Sequence, residues 1–377
     1  MTDDDPTCRI GGRAATRSEA IEAAAAVLRD SVCPLILCAE IDVAGTEAAV
    51  ALARALGGIV DHVQSPAALR DLGVMRDAGW IVTSPLQARA RADLVLLVGP
   101  GLDAAWPGFE ERLGLDAPPP LAAAGARRVL RLCPGAGARD GAQDEDTIRS
   151  TPAELPGLLA TLRALVAGRR VTPAAPERAA LAAWAEALRA ARYGVVVWSA
   201  ATLDALAIEM LCGLIDALNE TTRFAGLPLA PGGGAAAAMQ AAGWEAGFPL
   251  PVGFGRFHPE HDPLRLGADR LIGSGEADAV LWIGTDPGSA APPHLEDAAL
   301  IALVPEAEVQ AASGAAVAIA IGRPGIDHDA VQWRAELRAL APVVASARSA
   351  APSVAEILRA LALAAAPAAP AAEVVSC

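Results

Sequence analysis

His258-Pro259-Glu260-His261-Asp262 places two imidazoles three residues apart beside two carboxylates, a donor set that suits a divalent metal. Pro259 interrupts any helix that would present both imidazoles on one face, so the spacing predicts loop packing instead. Asp327-His328-Asp329 has the composition of a triad fragment or a metal site. No Gly-x-Ser-x-Gly elbow accompanies it and adjacent side chains point apart, so a solvated turn is expected. Gly232-Gly233-Gly234 ahead of Ala235 to Ala242 could cradle a phosphate at a helix N-terminus, and a flexible turn accounts for it equally well. His62 closes a predicted strand and reads as a satisfied core or edge histidine rather than a base. The six cysteines (Cys8, Cys33, Cys38, Cys133, Cys212 and Cys377) include no C-x-x-C. That spacing indicates neither a zinc ribbon nor a redox dithiol and fits reduced, mostly buried thiols of a cytosolic protein. Trp198, Trp244 and Trp282 are expected to fill the core or an interface between subunits.

The elements that would position such groups are organised around a stretch that occurs twice. Ala92-Asp93-Leu94-Val95-Leu96-Leu97-Val98-Gly99 returns as Ala277-Asp278-Ala279-Val280-Leu281-Trp282-Ile283-Gly284. Each copy is an apolar run with a charge before it and a glycine after it, as in a parallel strand buried on both faces. Ligands of open α/β sheets bind beyond the carboxyl ends of such strands. Gly99-Pro100-Gly101 and Gly284-Thr285-Asp286-Pro287 are therefore the candidate binding loops.

Around these strands the sequence alternates. A helix capped by Ser18 runs from Glu19 to about Arg29, Pro34 to Ala39 reads as a strand, Ala44 to Leu56 as a helix and Ile59 to His62 as a strand. Trp80 to Thr83, Leu94 to Val98 and Arg128 to Leu132 follow as strands, then a polar linker from Gly135 to Asp146. Thr151-Pro152-Ala153-Glu154 is a capping box that opens a helix to about Val166, and Pro176 opens another. The plan then repeats: strand Gly194 to Trp198, helix Leu203 to Leu218, strand Thr222 to Ala225, and strands at Ala279 to Ile283, Leu300 to Val304 and Ala316 to Ile321. The expected organisation is a first α/β lobe over 1–150, a helical connection over 151–192, a second lobe over 193–345 with a loop insertion at 226–263, and a C-terminal helix with a disordered tail over 346–377.

Composition narrows the partners. The 377 residues carry a formal charge of -14 and are 53% hydrophobic. The length predicts two or three domains, and the acidity argues against nucleic acid or an anionic membrane surface as a partner. All 30 basic residues are arginine, which excludes a Schiff-base lysine and a Walker A loop. The acidic start Met1 to Asp5 lacks an apolar signal core, and no stretch reads as a membrane span, so a cytoplasmic protein is expected.

Trp244-Glu245-Ala246-Gly247-Phe248-Pro249, followed by Phe254, Arg256, Pro259 and Pro263 and later by Gly284-Thr285-Asp286-Pro287, resembles the B subunit of formylmethanofuran dehydrogenase, in the molybdopterin oxidoreductase superfamily. The resemblance covers nearly the whole chain. It implies two related, Rossmann-like, doubly wound lobes with mostly parallel sheets that hold a pterin cofactor carrying molybdenum or tungsten. Active members resemble one another in a cysteine or selenocysteine metal ligand followed by His-Gly-Pro after the second strand. In the corresponding turn here, Ala67 stands at the ligand position and Ala68 at the histidine position, and a methyl group neither binds metal nor moves a proton. Only Cys8 stands where the family has a cysteine cluster for four irons. Trp106-Pro107-Gly108-Phe109 replaces a polar loop.

The resemblance with these departures implies a non-catalytic, cofactor-less B-type subunit of a formyltransferase/hydrolase complex. Such a complex moves a formyl group from formyl-tetrahydromethanopterin to a methanofuran-type carrier and releases formate, in methylotrophic one-carbon metabolism. Implied partners are an amidohydrolase-like formyl-hydrolase subunit, a formyltransferase subunit and a C-type subunit. Molybdopterin, its metal and the iron-sulfur cluster are expected to be lost, leaving a vestigial cleft at Gly99 to Gly101 and Gly284 to Pro287. Alternatives are an active molybdopterin-dependent formylmethanofuran or formate dehydrogenase, and a free-standing nucleotide or pterin binding module.

Overall fold

A computed structural model describes residues 7–121, 125–135, 144–171, 177–256, 258–286, 295, 297–312 and 314–366. Pro287 and the tail expected to be disordered, from Pro367 onward, lie outside the described residues.

The chain is a mixed α/β protein with mainly parallel sheets. Its strands are β1 (Cys8–Ile10), β2 (Arg13–Ala15), β3 (Pro34–Glu40), β4 (Ile59–His62), β5 (Leu94–Val98), β6 (Arg128–Leu132), β7 (Thr147–Ile148), β8 (Gly194–Ser199), β9 (Phe224–Leu229), β10 (Val252–Gly253), β11 (Ala279–Gly284), β12 (Ala299–Pro305), β13 (Val317–Ile321), β14 (Ala330–Arg334) and β15 (Ala339–Val343). An eight-stranded sheet has the order β10-β4-β3-β11-β12-β13-β1-β2, a five-stranded sheet the order β7-β6-β5-β8-β9, and β14 pairs with β15. Both copies of the repeated stretch become fully buried inner strands, β5 in one sheet and β11 in the other, parallel to both neighbours.

Apart from Trp80 to Thr83, the strands expected from the sequence form, but the eight-stranded and five-stranded sheets each join strands from both halves of the chain. β3 lies beside β11 (Leu35 opposite Val280, Leu37 opposite Trp282), and β5 beside β8 (Val95 opposite Val195, Leu97 opposite Val197). One compact unit therefore comprises 1–65, 233–332 and 341–377, and the other 66–232 and 333–340. This replaces the sequential division at 151–192: each half contributes its leading strand-helix-strand segment to one unit and its repeated strand to the other. Apolar strands buried on both faces accept any neighbour of like depth, and nothing in β3 itself specifies β5 over β11.

The helices expected as a connection belong to the second unit. In Leu155–Val166 the residues Leu155, Leu159, Leu162 and Val166 form one buried stripe, and Leu181, Trp184 and Leu188 of helix Glu177–Ala190 join the same core. The C-terminal segment is likewise no separate part. Helix Val354–Ala365, capped reciprocally by Ser353 and Glu356, falls within the first unit and packs on helices Val43–Leu56 and Arg17–Asp30. Three local expectations need correction. Thr16, not Ser18, caps the first helix, because Glu19 stands three residues after Thr16 and completes the capping box. Trp80 to Thr83 makes only a single bridge, Val82 to Gly226, instead of a strand. The 226–263 insertion holds helix Ala235–Ala246 and strand β10, so it is not simply a loop.

Candidate functional site

The strand order reverses at one point in each sheet, between β3 and β11 in the first unit and between β5 and β8 in the second. Such switch points open a crevice beyond the strand ends.

In the second unit that end is closed. Gly99 follows β5 with φ +85°, and a Cβ there would lie 2.7 Å from Leu203 Cδ2. The Thr202 hydroxyl donates to the Pro100 carbonyl at 2.8 Å, and Gly101, at φ +71°, sits 3.0 Å from Thr202 Cγ2 by the same construction. Leu203 is buried. The Gly99-Pro100-Gly101 loop is thus packed against its own unit.

In the first unit a cavity of about 240 Å³ remains, lined by Glu40 at the end of β3, Thr285 and Asp286 after β11, Arg323 and Gly325 after β13, and Gln332. Arg323 Nε donates to Asp327 at 3.0 Å. That bond and the charge of Asp327, joined by Asp286, raise the pKa of Arg323. The Gln332 amide donates to the Pro324 carbonyl at 3.2 Å. Beside this cavity the glycine run closes the end of β3: a Cβ on Gly233 would lie 2.1 Å from the Ala39 carbonyl oxygen, and one on Gly234 2.4 Å from that of Ile41. Both have φ near +70° (+69° and +75°). Gly233 and Gly234 thus make tight backbone contacts, which the flexible turn, one of the two alternatives the sequence offered, does not describe.

After β4 the hydrogen-bonding groups of His62 and Asp61 are engaged within the fold. The Gln64 N–H donates to His62 Nδ1 at 3.0 Å, and Nε2 lies 2.9 Å from the Gly233 carbonyl, which fixes the Nε2–H tautomer. With both nitrogens engaged, His62 is the satisfied core histidine the sequence predicted, and burial lowers its pKa to about 4, which keeps the ring neutral. Asp61 accepts from the His62 N–H at 2.7 Å, the Ser65 hydroxyl at 2.5 Å and the Ala268 N–H at 2.8 Å. Burial nevertheless pushes it up to about 6. Ala67 and Ala68 fall in helix Ser65–Ala78 and are both buried. The Ala67 methyl belongs to the same apolar core as Leu94, Val98, Leu132 and Trp198. A group needing a thiolate, selenolate or imidazole donor at these two positions finds two methyls, so the residues present do not fit a pterin-bound metal here.

The remaining candidates separate. His258 Nδ1 donates to the Arg256 carbonyl and His261 Nδ1 to that of Pro251, while Asp262 caps the N–H groups of Leu264 and Arg265. Asp327 pairs with Arg323 and Asp329 with Arg348, each to its own side of the turn. Among the described residues no group of three or more His, Cys, Asp or Glu side chains could hold a metal ion, and no helix is long and apolar enough to cross a membrane.

Two features escaped the sequence reading. The repeated Asp93 and Asp278 do equivalent work: Asp93 accepts from the N–H groups of Arg192 and Tyr193 just before β8, and Asp278 from those of Val32 and Cys33 just before β3. The repeat itself was the signal. Asp71 is buried against the Trp198 indole N–H at 3.2 Å and pushed up to about 6 by that burial, with Arg338 and Arg70 pulling it back. Nothing in the spacing pointed to it.

No protein-family model matches the chain. It is 36% identical over 326 residues to the B subunit of the formyltransferase/hydrolase complex Fhc of Methylorubrum extorquens, covering 86% of this chain and 87% of that protein. A chain in the X-ray crystal structure of the formyltransferase/hydrolase complex (FhcABCD) from the same organism, in complex with methylofuran, matches with a TM-score of 0.82 and 34% identity, covering 94% of this chain and 97% of that one.

Proposed function

We infer the function from a plain premise: the chain belongs to the family of B subunits of the formyltransferase/hydrolase complex. It acts as a non-catalytic structural component of such a complex. The complex transfers formyl from formyl-tetrahydromethanopterin to a methanofuran-type carrier and releases formate, in the cytoplasm of a methylotroph. Its partners are an amidohydrolase-like formyl-hydrolase subunit, a formyltransferase subunit and a C-type subunit. The fold is a two-lobed relative of the molybdopterin oxidoreductases that has given up pterin, metal and iron-sulfur cluster.

The observation that carries the reading is Ala67. Its methyl is part of the buried apolar core at the position where the resemblance places the metal ligand. The closed end of β5 and the neutral, fully engaged His62 support the same conclusion. The cavity of about 240 Å³ at the end of β11 lies below the ~300–1,000 Å³ typical of small-molecule sites, which disfavours a dinucleotide-sized occupant.

The test is the molybdenum, tungsten and iron content, by mass spectrometry, of this chain co-purified with its complex and resolved from it. Near-zero values per chain are expected. Stoichiometric molybdenum or tungsten would overturn the structural reading in favour of an oxidoreductase.

A further inference from the structure

The first unit has a second and larger cavity, of about 440 Å³, inside the ~300–1,000 Å³ range of small-molecule sites. Its walls are aliphatic: Val43 at the start of helix Val43–Leu56, Ala330 and Val331 of β14, Pro342 and Val343 of β15, and Val344. At its edge Val331 is 41% and Val344 74% exposed. The carboxylates of Asp42, Glu47 and Asp329 also line it, and no basic side chain joins them among the described residues.

Asp42 is the group there that lacks a partner. It is 4% exposed, and its Oδ1 accepts from the Gly45 N–H at 2.9 Å as the cap of helix Val43–Leu56. Among the described residues no side chain hydrogen-bonds to Oδ2, and no arginine pairs with the carboxylate. Burial raises its pKa, and the Gly45 N–H and the nearby His328 offset this only in part. His328 does not line the cavity, and its Nδ1 is turned to the Asp329 carbonyl at 3.0 Å. Asp329 differs from Asp42, since it pairs with Arg348 and accepts from the Ala345 N–H at 2.8 Å. The uncompensated charge is thus on Asp42 and on Glu47 in the second turn of the same helix. Two carboxylates outweigh the roughly half positive charge that a helix N-terminus presents.

We propose that this cavity binds a small organic cation, a protonated primary amine on an aliphatic chain, with its ammonium on Asp42 Oδ2 and its chain against Val43, Val331 and Val343. The two parts of the lining select that class. A bare divalent cation needs six or more oxygen ligands, whereas these walls offer aliphatic carbon. A neutral apolar molecule would leave the Asp42 oxygen unbonded in a drier cavity, and an anion would be repelled. An ammonium group answers the carboxylate with a charge-assisted hydrogen bond, while the chain covers the exposed valines. The inference stands on the cavity and is independent of the family reading.

The test titrates the full-length chain, followed by methyl NMR, with n-pentylamine at neutral pH, where the amine is charged, and with 1-pentanol, which has the same chain and no charge. Pentylammonium should saturate with a Kd at or below about 1 mM and shift the methyls of Val43, Val331, Val343 and Val344. The alcohol should bind at least about tenfold more weakly, a contrast measured on the wild-type fold. Asp42→Asn keeps an oxygen for the Gly45 N–H and therefore keeps the helix cap. It should weaken pentylammonium at least about tenfold and leave 1-pentanol unchanged. Equal affinity for amine and alcohol, an Asp42→Asn chain that binds the amine as well as wild type, or shifts confined to other methyls would overturn the site. Amine binding that persists in the complex recovered with its native partners supports a free small molecule as the occupant. Binding to the free chain that disappears in that complex would assign the cavity to a partner's side chain, overturning the proposal and leaving the family reading intact.

Discussion

At the end of β5 Leu203 packs onto Gly99, whereas the matching end of β11 opens on a cavity lined by Glu40, Thr285, Asp286 and Arg323. The two ends derive from the same repeated stretch and occupy the same place in their sheets. The second unit gains apolar burial at its switch point; the first keeps charged groups there and stabilises them with one another. The same kind of strand end is packed core in one unit and polar in the other. A shared strand pattern therefore says where a crevice would lie, and the residues of the following loops decide whether it exists.

The sharpest way to break this contrast is to strike the part of the first unit that is closed by backbone. Gly233→Ala puts a methyl 2.1 Å from the Ala39 carbonyl oxygen at φ +69°, and neither partner is a side chain able to swing away. The expected loss is more than about 3 kcal/mol, enough to leave little folded protein in a urea titration. In the second unit the closure is a side chain. Leu203→Ala should cost about 3 kcal/mol through the cavity it leaves. Gln332→Ala, at the edge of the open cavity, should cost about 1 kcal/mol, the value of its single bond to Pro324. Equal costs at Leu203 and Gln332 would erase the distinction between the two ends.

These differences mark what the sequence makes legible. The parallel strands β3, β4, β5, β6, β8, β9, β11, β12 and β13, the doubled stretch and the two loops after it follow from periodicity and flanking glycines, whereas the short strands and helix Ser65–Ala78 do not. The crosswise pairing of β3 with β11 and β5 with β8 does not, since consecutive strands usually neighbour one another and a wholly apolar strand carries no address. The glycine run announces special backbone without saying that the Ala39 and Ile41 carbonyls require it. Ala67 is an ordinary alanine until the resemblance gives its position a meaning, and its place in a core comes only from the fold. Asp71 is one carboxylate among many until Trp198 and Arg338 close around it.

Acid titration sharpens the comparison further. Asp71 in the second unit is held near 6 by burial, so between about pH 4 and 6 the native state binds a proton that the unfolded chain has released. Stability of that unit must therefore fall as pH rises through this window, by up to about 2–3 kcal/mol, and Asp71→Asn should flatten the slope. The first unit holds a matched pair. Asp61, also near 6, contributes a fall of the same sign, while His62, lowered to about 4 by burial, is neutral when the unfolded chain is protonated and contributes a rise. The two nearly offset. Asp42, which burial also raises, leaves a smaller fall in the first unit. Hydrogen exchange followed separately in β3 and β8 from pH 4 to 6.5 should show protection falling in β8 and falling less in β3. A parallel fall in both strands would refute the offset.

The smallest effect tests the repeat itself. Asp93 and Asp278 stand at the same position of the doubled stretch and each accepts two backbone N–H groups ahead of the neighbouring strand. Changing either to Asn keeps one acceptor oxygen and turns an amide toward the other N–H, so each substitution should cost about 1 kcal/mol, reduced by the solvent around both residues. Asp278 adds a pH signature. Its partial burial raises the pKa, and the Ser31 hydroxyl with the Val32 and Cys33 N–H groups more than reverses this, leaving it below the usual carboxylate value. Its contribution is present above the unfolded pKa, near pH 4, and is lost as pH falls through the lower folded value, so Asp278→Asn should differ from wild type at neutral pH and converge with it in acid. Costs at 93 and 278 that agree within about 0.5 kcal/mol would mean that the two strands retained one anchoring device through all that happened at their opposite ends. A cost at only one of them would mean that the doubled stretch survives as a strand pattern alone.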